Sequence, residues 1–125
     1  MGKSVHDDVL DAMLNYVKNN ATRISVCSSE PTTYAEATST YKLAIKTISS
    51  SDFTGPANGD TSGRKITVNQ AANINVDANG TAQHVALSDS NNSKLLYVTT
   101  CTSQALTAGN TVTIPAWDIE VSDPT

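Results

Sequence analysis

The sequence predicts a mainly β chain, an antiparallel β-sandwich or barrel with a jelly-roll-like arrangement among the options, carrying one N-terminal α-helix. Three observations point there. Short alternating runs recur at spacings of roughly 8 to 14 residues, separated by turn signals, as in sandwiches and barrels. Thr, Ser and Asn make up about a third of the 125 residues, which suits strands and their turns. Helical periodicity is confined to the first twenty positions. The length is that of one domain, read as a helix over 4–20 and a β region over 23–121.

Ser4 stands as a candidate N-cap with Asp7 three positions later, close to a capping box. Val5, Val9, Met13, Tyr16 and Val17, joined by Leu10 and Leu14, recur at threes and fours and form a broad apolar stripe. Asn19 and Asn20 suit the stop. The stripe must bury itself against its own sheet or against a neighbouring subunit.

Arg23 to Cys27 then alternates as a strand. Around Pro31 the chain reads as a connector or a single helical turn. Tyr41 to Ile48 alternates again. Ser49 to Gly63, with Gly55-Pro56, Asn58-Gly59 and Ser62-Gly63, reads as one long loop, and long loops in compact domains are often functional. Lys65 to Val68 and Ile74 to Val76 are short strands, and Asn79-Gly80 is a hairpin signal. Thr81 to Ser88 follows, with Val85 and Leu87 on one face and Ala82, His84 and Ala86 on the other. Lys94 to Cys101 is the most apolar run and reads as a central strand covered on both faces. Thr111 to Ile114 and Trp117 to Val121 close the series, with Pro115 marking an edge or bulge between them. That makes seven or eight strands.

Composition narrows the function classes. A net charge of -4 with scattered Lys and Arg gives no nucleic-acid footprint. No apolar stretch reaches the ~20 residues of a membrane span. The first residues lack an apolar signal region, so the expectation is synthesis in the cytoplasm without a leader. Asn20-Ala21-Thr22, Asn79-Gly80-Thr81 and Asn91-Asn92-Ser93 are then chance glycosylation sequons. Cys27 and Cys101 sit in strand-like runs, outside any C-x-x-C motif, and read as buried thiols. They can pair only if their strands lie together.

Chemistry has little to build on. With His6 and His84 as the sole histidines and no G-x-S-x-G elbow, a nucleophile–base–acid set is not assembled. His84 reads as a satisfied surface or interface histidine. His6, Asp7, Asp8 and Asp11 form one cluster of potential metal ligands, which helix capping explains without a metal. Asp52, Asp60 and Asp89 lie in loops without EF-hand spacing. Glu30, Glu36 and Glu120 lack aromatic sugar platforms, and no phosphate-binding glycine loop is present. The expectation is a non-enzymatic protein without cofactor or metal.

Three stretches together carry a resemblance. They are Ile24-Ser25-Val26-Cys27-Ser28-Ser29-Glu30-Pro31 through Ala37, Asp52-Phe53-Thr54-Gly55-Pro56-Ala57-Asn58-Gly59-Asp60 into Gly63-Arg64-Lys65, and Leu95 to Cys101 through Thr113 to Glu120. The chain after the helix resembles small virion structural proteins of tailed bacteriophages, of the head-decoration or cement kind. The resemblance implies a particle component at the capsid surface, with the major capsid protein as partner; a dimer or trimer would gain avidity across adjacent sites, and the charge and hydropathy above point to no nucleic-acid or membrane partner. Val5, Val9, Met13, Tyr16, Phe53 and Trp117 are the candidate interface residues. For Trp117 a core position competes, because a lone strand Trp usually packs inside. A head–tail connector or tail component is one alternative. A host-surface carbohydrate or receptor-binding module is the other.

Overall fold

The structure, a computed structural model, describes residues 4–123. It is a mainly antiparallel, sandwich-like β fold without barrel closure. Helix α1 spans Asp7–Asn20 and is followed by β1 (Arg23–Cys27), β2 (Lys42–Thr47), β3 (Phe53–Asn58), β4 (Arg64–Val68), β5 (Ala71–Asn75), β6 (Gly80–Asp89), β7 (Lys94–Leu106), β8 (Thr111–Ile114) and β9 (Trp117–Val121). A four-stranded sheet runs β2-β1-β6-β7, a three-stranded one β3-β4-β9, and β5 pairs with β8 alone.

The helix starts later than Ser4. His6 is the N-cap, and its Nδ1 accepts the Asp8 N–H at 3.0 Å. Asp7 and Asp8 fill the first turn, where negative charge meets the helix dipole. Val5 therefore lies outside the helix, at the spacing of a hydrophobic staple to Leu10. At the other end the Asn20 amide donates to the Tyr16 carbonyl at 2.8 Å.

One core unites the layers. Ile24 and Val26 of β1, Val85 and Leu87 of β6, Ile66 and Val68 of β4, Ile74 of β5, Ile114 of β8 and Ile119 of β9 belong to a single buried cluster, together with Leu14 of α1. Register explains the set. Val26 sits opposite Val85 and Ile24 opposite Leu87, while Ile66 faces Ile119. Alternation along β4 puts Arg64 on the same face as Ile66 and Val68. Arg64 Nε donates to Asp11 Oδ1 at 2.8 Å, so the helix lies against the core side of β4. The other face of β1 and β6 is closed too: Ser25, Cys27, Ala86 and Ser88 have no measurable exposure.

Several expectations are corrected. The segment 49–63 is not one loop, because Phe53–Asn58 forms β3 against β4. Gly55 takes φ +107°, and the ladder breaks between Thr54 and Ala57. Turn-type residues thus sit inside an edge strand, where a missing N–H and an irregular ladder are tolerated. Asn79-Gly80 is not a hairpin. It carries the chain from β5 to β6 in another sheet, and Asn79 Oδ1 accepts the Ala108 N–H at 2.7 Å. Ala82 joins the core with Val85, at the point where the ladder with β7 shifts between Ala82 and His84. The β7 run is an edge strand, not a central one. The ambiguous segment after Pro31 ends in a π-helical turn, Glu36–Thr40. Pro115 lies between two sheets, after β8 and before β9.

The β6–β7 turn is held by Asp89, which is 1% exposed. Its carboxylate accepts the Asn91 N–H at 2.9 Å and the Asn92 amide at 2.8 Å. The Asn92 side chain, then backbone donors, hold Asp89 below the ordinary carboxylate range. A depressed value means this stabilisation is present above the unfolded pKa and fades as pH falls through the folded one. We expect Asp89→Asn to flatten the acid limb of a thermal-stability profile below the ordinary value of 3.8. Leu14→Ala should cost about 2–5 kcal/mol in urea denaturation, whereas Val9→Ala should stay within about 0.5 kcal/mol.

Candidate functional site

Two surfaces could do work. The first is the outer side of α1. Leu10 and Leu14 are buried, and Val17 packs against the core. The broad stripe is thus divided between a core-facing row and an outer row. Val9, Met13 and Tyr16 are 56%, 50% and 47% exposed, and they are the exposed large hydrophobics among the described residues. Their spacing of four and three residues puts them on one line along the helix. The Lys94 ammonium stands 5.9 Å over the Tyr16 ring and donates to its hydroxyl at 3.2 Å, so one end of the line is anchored to the start of β7.

The second surface is an open cleft of ≈ 520 Å³ beside β7. Thr99 to Thr102 and Gln104 form one wall, Val112 to Asp118 the other, and Val26, Ala82 and Val85 the floor. Trp117 is half-buried. Its ring centroid lies 5.7 Å from that of Tyr97 at a tilt of 31°, within the distance range of aromatic pairs. Its Nε1–H is buried with no partner among the described residues. Asp118 on the rim accepts the Thr67 hydroxyl at 2.8 Å. That bond, helped by the Lys65 ammonium at 3.4 Å, keeps its carboxyl below the usual range.

The six expected interface residues therefore separate. Val9, Met13 and Tyr16 come together. Trp117 lies apart in the cleft, packed on the core along one side. Val5 precedes the helix. Phe53 is 5% exposed and belongs to the core, so its place in an interface is withdrawn: as the first residue of β3, it pairs with Val68. The cleft leaves no local signal in the sequence, because its walls come from separate strands.

The remaining polar clusters have structural work. His6 caps α1 and Asp11 holds Arg64. Glu36 accepts from Thr32 and Glu120 from the Asp60 N–H. Asp52 closes a capping box with Ser49. Among the described residues, no group of three or more His, Cys, Asp or Glu is placed to hold a metal ion, and no helix is long and apolar enough to cross a membrane. His84 is half-buried, and its Nδ1 lacks a partner, so it is not the satisfied histidine expected.

Cys27 and Cys101 are free thiols. Their strands flank β6. His84 pairs with Cys27 on one side and Thr100 on the other, so alternation sets Cys101 on the opposite face. Burial, with a smaller contribution from Cys101, pushes Cys27 up to about 11. Burial also raises Cys101. Comparison with protein-family models, curated proteins and solved structures gave no match to this chain.

The two thiols should be told apart by a thiol-reactive disulfide reagent. Cys101 is expected to react in the native state, and Cys27 only after denaturation. Because the Cys27 value is raised, the stability it contributes is complete below its ordinary value of 9.0 and lost as pH rises towards about 11. Cys27→Ala should therefore remove part of the alkaline loss of stability.

Proposed function

We propose that this chain is a structural protein that docks on a larger protein assembly through Val9, Met13 and Tyr16, and that the assembly is the head lattice of a tailed bacteriophage. The outer row of α1 is the observation that carries the reading. It gathers the exposed large apolar side chains on one rigid element that its own core holds in place. Apolar side chains grouped in this way suit a protein partner better than bulk water. The resemblance of the β region to head-decoration proteins supplies the identity of that partner, the major capsid protein. The virion surface is then the place of action.

Magnitudes shape the mechanism. Three half-exposed side chains contribute about 1 kcal/mol each when fully covered. Alone they give an affinity no better than millimolar. A decoration protein gains the rest from geometry: it spans neighbouring subunits, binds the assembled lattice over the free subunit, and so stabilises the assembled form by mass action. Copies joined to one another add avidity across adjacent sites. Raised thiol pKa values at Cys27 and Cys101 disfavour thiolate chemistry, which supports a non-catalytic role.

A second reading rests on the cleft. An aromatic side chain in the wall, Trp117, flanked by Thr, Gln104 and Asp118, suits a host-surface carbohydrate or receptor segment. It would not need the α1 row.

The test uses particles lacking this chain, titrated with the purified protein. Wild type should saturate at a number of copies proportional to the major capsid protein. Combined Val9→Ser, Met13→Ser and Tyr16→Ser should keep the fold by circular dichroism and lower occupancy at least tenfold, the loss of about 1.4 kcal/mol or more. Saturation at a single ring of copies would move the protein to the neck or tail. Undiminished occupancy of the triple variant would remove the α1 row from the contact, and glycan binding without particle binding would favour the cleft.

A further inference from the structure

Most sheet edges in this molecule are blunted. The β2 edge carries Lys42 and Lys46 and is met by residues 76–78: Ala44 bridges Val76, and the Asp77 N–H donates to the Leu43 carbonyl at 2.7 Å. β3 contains Pro56 and a broken ladder, and the Lys18 ammonium donates to the Gly55 carbonyl at 2.9 Å. β9 carries Asp118 and Glu120. β5 has Asn73 at φ 56° and a register break, and β8 is four residues long. Short length, charge, proline and irregularity are the usual means of keeping an edge unpaired.

β7 is different. It runs for thirteen residues, pairs among the described residues only with β6, and has no charged residue or proline from Leu95 to Leu106. Among the described residues no backbone hydrogen bond reaches its outer edge from another element. Two bulges, at Leu96 and within 101–103, interrupt its ladder with β6, leaving Tyr97 to Thr100 as the regular run. The side chains of Leu95, Leu96, Tyr97, Val98 and Thr99 point to both faces and are all half-buried. A long apolar edge whose outer backbone groups meet no other element is a ready template for pairing with another strand.

We infer that the outer edge of β7 pairs antiparallel with β7 of a second copy of this chain, about a two-fold axis passing through Tyr97 to Thr100. Antiparallel self-pairing sets each residue of the run against another residue of the same run, so a run rich in one sign of charge would repel its copy. β7 has none there, whereas the acidic β9 edge would repel its own copy. Pairing would turn two four-stranded sheets into one of eight, with the two β7 strands at its centre. It closes as an isologous dimer, because each copy spends the same edge. Pro115 to Trp117, across the cleft from β7, gives the second copy further surface to cover. The inference stands on β7 alone and holds whether or not the partner assembly is a phage head.

The experiment is sedimentation equilibrium of the full chain, with Thr100→Lys as the variant. Thr100 is exposed, so the substitution leaves the fold intact while putting a lysine from each copy into the pairing edge, the device that keeps natural edges apart. At about 100 μM, wild type should show twice the 13.1 kDa chain mass and the variant a dissociation constant at least tenfold weaker. Amide exchange supplies a readout independent of any variant: protection of Tyr97 to Thr100 should rise with protein concentration. The combined Val9, Met13 and Tyr16 serine variant should dimerise as wild type does. A monomer at that concentration would overturn the inference, and so would a dimer lost in the α1 variant but kept in Thr100→Lys.

Discussion

Everything in this molecule leans on one shared apolar core assembled from scarce material. Leu, Ile, Val and Phe are about a fifth of the chain, near the level at which folding fails for want of burial. Three small sheets cannot each close a core from so few residues. They are stacked so that Ile24, Leu87, Ile66, Ile74, Ile114 and Ile119 meet in one cluster, and Leu14 brings the helix into it. The helix is therefore part of the β fold and not an appendage, and the Arg64–Asp11 pair at 2.8 Å, with both side chains largely covered, fixes how it lies. An ion pair this shielded acts chiefly on orientation, since its attraction is offset by desolvation.

This economy explains which surfaces remain. When nearly every large apolar residue is needed inside, three left on one helical line are conspicuous. Small side chains do the opposite job on the second face of β1 and β6, where Ser25, Ala86 and Ser88 are fully covered. There the sheet is closed by compactness, and the hydroxyls of Ser25 and Ser88 stay without partners among the described residues.

Local patterns in the chain spoke clearly wherever local physics decided the outcome. The β1 strand, the β6–β7 turn and the two last strands lie where alternation and turn residues place them. The helix ends where Asn19 and Asn20 suggest, and its start moved only because His6 offered a ring nitrogen to the Asp8 N–H. Tertiary choices were not legible. Periodicity supplies the apolar set on α1 but not the line dividing Leu10 and Leu14 from Val9 and Met13, which depends on what β4 presents. The glycines and Pro56 of 53–58 signal a turn locally, yet β4 recruits them as an edge. Asn79-Gly80 has hairpin chemistry, but the strands on its two sides pair with β8 and β7 and not with each other. The composition of Lys94 to Cys101 indicates burial on both faces, and only topology reveals that one flank is open.

The position of the sole tryptophan has a practical meaning. Trp117 lies 5.7 Å from Tyr97 of β7 and forms part of the cleft wall, while the remaining aromatics are one Phe and four Tyr. The indole thus samples the polarity of the one region where a ligand in the cleft or a strand beside β7 would exclude water. The protein contains an intrinsic optical reporter at that boundary, and its emission reads out events there without any label being attached.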